Sequence, residues 1–231
     1  MKIEKILLLL MFIAFALYGC GGGGGGSAPT GTTGGTPTDT SIDFSLFPAD
    51  YFTSYNVSAD LTGNDNKGST ITGRITEQLQ AQTTFMGAAA LPVVAQTQFT
   101  ASNGGFAAAT VTSYFSTDAS SRKFLGVSGD VVTASSSSTF VIPQTANIGD
   151  SGVMGTYTDN AGFVTSVTWR LEDGLNGNAK LVILNLTMNN AVVDNTLTST
   201  YLIQPDGTRL SVEIVTLNVN VSLIVTLRGT Y

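Results

Sequence analysis

From Phe163 onward, apolar and polar residues alternate with a period of two. Phe163, Val167, Trp169 and Leu171 alternate with Val164, Ser166, Thr168 and Arg170. Val182, Leu184, Leu186 and Met188 form the next face. Leu197, Tyr201 and Ile203 follow, then Leu210, Val212 and Ile214, and finally Val219, Val221, Leu223, Val225 and Leu227. Side chains on a strand point to opposite faces in turn, so this pattern predicts five half-buried strands. Turn residues separate them: Asp159-Asn160-Ala161-Gly162, Asp173-Gly174 through Asn178, Asn189-Asn190 with Asp194-Asn195, and Pro205-Asp206-Gly207. Gly and Asn accept positive φ, and Pro presets the first turn dihedral. Short polar turns between such strands predict an antiparallel meander. The last two strands meet near Asn218 and Asn220, as a tight turn or a bulge.

The first half alternates less regularly. Val57 to Leu61 and Ile71 to Glu77 predict a hairpin across Gly63 to Gly68. Val93, Ala95 and Phe99 oppose Gln96, Gln98 and Thr100. Phe106 to Phe115 and Phe124 to Val132 are further strand candidates, separated by Gly104-Gly105 and Asp118 to Ser121. Ser135 to Ser138 reads as the start of a loop, and Phe140 to Ile142 as a short strand ended by Pro143. Phe85 to Ala95 is apolar but carries Gly87 and Pro92; it reads as a helix across one end. After the first twenty residues no helical period persists over twelve positions. The expected fold is therefore all-β: an antiparallel meander of about nine to eleven strands, closing as a sandwich, a half-barrel or a small barrel. No aromatic girdle recurs at both strand ends, which argues against a membrane-spanning barrel.

The N-terminus is built differently. Lys2 and Lys5 precede an uncharged apolar stretch, Ile6 to Leu17, then Gly19, Cys20 and six glycines, Gly21 to Gly26. Twelve residues of helix rise roughly 18 Å, short of a hydrocarbon core of ~30 Å, so a secretory signal is the better reading than a membrane span. Leu17-Tyr18-Gly19-Cys20 resembles the lipobox of bacterial lipoproteins, over residues 1 to about 21. The resemblance implies a signal peptide over 1–19, cleavage before Cys20 and a lipid on the Cys20 thiol. With Gly21 rather than Asp after the cysteine, it also implies sorting to the outer membrane. The membrane, reached through this lipid, is then the one partner expected, since two acyl chains anchor stably where one does not. Residues 20–42, rich in Gly, Thr and Pro, are expected to be a disordered tether, and 43–231 a single β-rich domain.

Composition narrows the function. The chain carries a net charge of −6 and only 11% charged residues, against ~25% in ordinary globular proteins. Such a chain has no electrostatic footprint for nucleic acid. There is no histidine, and the single cysteine is Cys20. The usual general base, the commonest metal ligand and a thiol nucleophile are thus missing. Gly149-Asp150-Ser151-Gly152 is similar to the nucleophile signature of trypsin-like serine proteases, but that chemistry needs an imidazole. A glycan hydrolase needs two facing carboxylates. Among the candidates, Glu77 has inward parity, Glu213 has outward parity, and Glu172 and Asp173 sit at a hairpin end. Asp60, Asn64, Asp65 and Asn66 offer oxygens to calcium without the acidic ligand that closes an EF-hand loop. Trp169, with Tyr157 and Tyr201, is a core residue by parity before it is a sugar platform.

No catalytic residue, cofactor or metal is therefore expected. The leading reading is a non-enzymatic lipoprotein with a binding or structural role. One alternative is a carrier of apolar ligands, comparable in architecture to half-barrel lipoprotein-sorting factors, with its cavity lined by the 182–188 and 219–227 faces. The other is a carboxylate-based glycan hydrolase.

Overall fold

The computed structural model describes residues 35–129, 133–137 and 140–231. The signal sequence, Cys20 and most of the expected tether lie outside the described residues, as does the end of the 124–132 strand candidate.

The described chain is all strand and turn. Its elements are β1 (Phe44–Ser45), β2 (Asn56–Asp65), β3 (Thr70–Leu79), β4 (Thr83–Phe85), β5 (Ala88–Ala101), β6 (Phe106–Ser116), β7 (Phe124–Gly129) and β8 (Thr133–Ser136). They continue with β9 (Thr145–Ala146), β10 (Ser151–Asp159), β11 (Val164–Leu175), β12 (Asn178–Asn189), β13 (Val192–Ile203), β14 (Arg209–Asn218) and β15 (Leu223–Thr230). Twelve of these form a closed, antiparallel, up-and-down barrel: β2, β3, β5 to β8 and β10 to β15. Two ladders close it, β15 on β2 and β3 on β5. β4 adds to the end of β5, and β1 pairs with β9 outside the barrel.

Several expectations need correction. There are more strands than nine to eleven. Phe85 to Ala95 is not a helix: β5 runs through it, held between β3 and β6. Two neighbours that each require a ladder override the weak local signal. The serine run expected to open a loop instead contributes to β8, the link between β7 and β10. Contact with the barrel also begins before Asp43. Thr36 and Asn176 exchange hydrogen bonds, and Thr38 bonds to Asp173 and Asn178.

The inward face is filled. Leu61, Val93, Val111, Val167, Trp169, Leu181, Ile183, Leu197, Tyr201, Ile214, Val225 and Leu227 are all at most 4% exposed. A round barrel of twelve tilted strands has a backbone radius of about 12 Å and would leave a water-wide lumen. Burial to this degree requires that the two walls close on one another. Glycines sit where paired neighbouring strands approach too closely for a side chain. A Cβ on Gly63 of β2 would lie 1.8 Å from the Thr226 carbonyl oxygen, and one on Gly126 of β7 would lie 2.3 Å from that of Ala134.

The two ends differ. Six hairpins, β2–β3, β5–β6, β7–β8, β10–β11, β12–β13 and β14–β15, gather at one end. The other end is capped by residues 44–55. Tyr51 packs against Tyr55 with ring centroids 4.5 Å apart, and Phe52 against Phe115 at 5.3 Å. The Arg122 guanidinium lies over the Phe52 ring at 4.1 Å. Phe44, Leu46 and Tyr51 are completely or almost completely buried beneath this cap.

Gly63→Val forces a side chain into the β2–β15 seam. Urea denaturation followed by Trp169 emission is expected to show a loss of about 1–3 kcal/mol, the usual cost of overpacking. An unchanged midpoint would mean that the seam does not close there.

Candidate functional site

Two constellations stand out once the strands are in register. One is internal, at the capped end. Glu77 projects inward from β3, as its parity required, and meets Arg209 at the start of β14. Arg209 Nη1 donates to Glu77 Oε2 at 3.0 Å and Oε1 at 3.2 Å, and to the Tyr55 hydroxyl at 2.9 Å. The guanidinium carbon lies 4.3 Å from the Tyr201 ring centroid, 5.4 Å from Tyr51 and 5.6 Å from Tyr55. Both charges are sealed from solvent. Burial pushes the Glu77 carboxyl above its ordinary range; the Arg209 charge and the Arg209 and Tyr55 hydrogen bonds pull it back.

This pair ties β3, β14 and the cap together. With 4% of the Arg209 side chain and none of the Glu77 side chain exposed, the pair offers no open face to a substrate. Arg209 was missed in the sequence because a register shift intervenes. Leu202 pairs with Ser211 but Ile203 with Arg209, so Arg209 turns inward against the parity of Leu210.

The second constellation is external, on the wall formed by β11 to β15 and β2. It is an open groove of about 930 Å³, bordered by Glu172, Lys180, Glu213, Arg228 and Asp60, with Leu202 on its floor. Strand register explains the charges. Glu213 of β14 lies opposite Arg228 of β15, Asp60 of β2 opposite Arg74 of β3, and Glu172 of β11 opposite Lys180 of β12. Glu213 and Arg228 form an ion pair, Asp60 and Arg74 another at 3.6 Å, and Arg170 pairs with Glu172 along its own strand. Thr200, Ser211 and Thr230 add hydroxyls between these pairs. Exposed pairs of this kind contribute little to stability. They instead present alternating charge and hydroxyl groups, suited to hydrogen bonding a polar chain.

The other sequence candidates have structural roles. Trp169, Tyr157 and Tyr201 point inward and are buried, so they form no platform for a sugar. Asp65 accepts the Lys67 and Ser69 amides at 2.9 and 2.8 Å, and Asn66 bonds to Ser222 and Ile224. Among the described residues, no three His, Cys, Asp or Glu side chains gather as a metal site. Asp150 accepts the Asn147 amide at 2.8 Å beside Gly149, at φ 100°, and Ser151 opens β10 opposite Arg170. Asp173 organises its turn by accepting the Leu175 amide at 2.7 Å, which holds its carboxyl below the usual range.

Comparison with protein-family models, with curated proteins and with solved structures gave no match.

Glu77→Gln leaves the Arg209 charge buried without its counterion. Denaturation should show a loss of about 3–5 kcal/mol. The double variant Glu77→Gln, Arg209→Met should recover most of it. A single-variant loss below about 1 kcal/mol would show that the pair does not hold the cap.

Proposed function

We propose that the chain is an envelope lipoprotein, anchored at Cys20, whose barrel is a non-enzymatic binding or scaffolding module that works through its outer wall. The filled and capped interior carries this reading, together with the reachable, shaped groove on β11 to β15 and β2. The sequence Leu17-Tyr18-Gly19-Cys20 supports the anchor, and Gly21 supports the outer membrane as its site.

The carrier alternative loses its support from the described interior. Leu223, Val225 and Leu227 point inward but are at most 3% exposed. On β12 the expected cavity face is reversed: Leu181, Ile183, Asn185 and Thr187 point inward, while Val182, Leu184, Leu186 and Met188 point outward. The hydrolase alternative loses its pair of acids. Glu77 is tied to Arg209 in the interior, while Glu172 and Glu213, on the groove, each pair with an arginine. With Trp169 and Tyr201 inside, no aromatic ring lines the groove among the described residues.

Mass spectrometry of membrane-extracted protein should show an acylated N-terminus beginning at Cys20, and Cys20→Ala should release the protein from membranes. An unmodified thiol on a soluble chain would contradict the anchor. Separately, titration with a fluorescent fatty acid should give no saturable energy transfer from Trp169. A saturable one-to-one signal would restore the carrier reading.

A further inference from the structure

Across β11 to β15 the polarity of the barrel wall reverses along the strands. Near the cap, the inward rows are apolar except at Ser199: Trp169, Ile183, Ser199, Ile214 and Leu227 in one, Leu171, Leu181, Tyr201 and Val212 in the next. The outward rows at that level carry Arg170, Glu213 and Arg228. Toward the hairpin end both sides change. Inward, Asn185 and Thr216 enter a row that still holds Val167, Leu197 and Val225, and the next row is Thr165, Thr187, Asn195 and Asn218 beside Leu223, all buried. Outward positions become Leu184 and Val215 among Thr168, Thr198 and Thr226, then Leu186, Leu217 and Ile224 with Ser166 and Thr196, then Val164, Met188 and Val193. The adjoining hairpin tips expose Val192, at 68%, and Val219.

Two independent features point the same way. The apolar residues of these rows face outward, half-buried at Leu184, Leu186, Met188, Val215 and Leu217 and exposed at Val193 and Ile224. The polar atoms of Asn185, the amide nitrogen of Asn195 and the hydroxyl of Thr216 lie inside with no protein hydrogen-bond partner. Buried polar atoms so placed are usually met by water in folded proteins. Polar inside and apolar outside is the arrangement of a strand whose outer medium is lipid.

Dimensions select the occupant. Over β12 to β15 the band is three rows tall and four strands wide, about 15 Å by 19 Å, or roughly 300 Å². A stable dimer needs about 800 Å² per partner, so a second copy is disfavoured. The height is about half of a hydrocarbon core of ~30 Å, enough for one leaflet and too little to span. Position permits it as well. Gly35, the first described residue, lies beside Leu175 and Asn176 at the capped end. The fifteen residues from Cys20 to that point reach at most about 50 Å, and a strand of twelve residues covers about 40 Å.

We propose that the hairpin-end outer face of β12 to β15 rests in the acyl region of one membrane leaflet, with the row of Arg170, Glu213 and Arg228 at headgroup level. The charged groove then lies just above the membrane, open to a polar partner. This rests on the outer wall being the working surface, but not on the lipid anchor.

The test uses the chain from Cys20 onward with Cys20→Ser, which is free of both lipid and cysteine. Leu186→Cys and, on the opposite wall, Gln96→Cys are each labelled with an environment-sensitive fluorophore. Vesicles of phosphatidylethanolamine with a minority of phosphatidylglycerol should shift the label at 186 to the blue and leave that at 96 unchanged. Leu186→Ser with Leu217→Ser should lower vesicle partitioning about tenfold or more, with unchanged Trp169 emission as the folding control. No shift at 186, or equal shifts at both positions, would overturn the proposal. So would a dimer, seen in sedimentation, that the serine pair dissolves while vesicles are ignored. Because the chain carries no lipid, none of these results depends on whether Cys20 is acylated.

Discussion

Twelve antiparallel strands joined edge to edge enclose more space than their inward side chains can fill if the cross-section is round. This constraint shapes the molecule. The walls must press together to fill that space, while within the ladder glycines such as Gly63 and Gly126 stand where adjacent strands crowd one another. A barrel flattened in this way keeps the closed ladder, so no strand edge of the barrel is left open for aggregation. It gains a sandwich-like core but gives up an open lumen. Functional surface is thereby moved to the outside of the wall.

The capped end depends on one buried ion pair. Glu77 and Arg209 come from strands that are not adjacent, and Tyr51, Tyr55 and Tyr201 surround the guanidinium with ring faces. Hydrophobic packing alone would tolerate sliding of the cap. A charge that has one counterion in a sealed site fixes where the cap must sit, a role in which buried polar contacts trade stability for position. Tyr55 directly precedes β2, so the same contact sets the start of the strand that closes the barrel.

Much of this was legible in the sequence, with physical reasons for the exceptions. The parity of Val167, Trp169 and Leu171, of Leu197, Tyr201 and Ile203, and of Val225 and Leu227 gave the inward faces directly, because those strands are polar on the other side. β12 misled because Leu181 to Leu184 is apolar on both faces, and Asn185 and Thr187 then occupy the inward side. The even-numbered face thus looked like the core when it is the outer wall. Glu77 was placed inward by parity, but its partner was hidden by the register shift at Arg209. The strand through Pro92 was lost to a helix reading because its pairing on both edges is a tertiary fact. Thr36 and Thr38 look like tether, yet Asp173 and Asn176 hold them.

Acrylamide quenching of Trp169 emission tests the filled interior most directly. Trp169 is the single tryptophan and points into the barrel from β11. A closed, packed interior around Trp169 gives blue-shifted emission and a quenching slope far below that of the urea-unfolded chain. Red-shifted emission with a slope approaching that of the unfolded chain would mean a water-filled lumen, and would contradict the assignment of function to the outer wall.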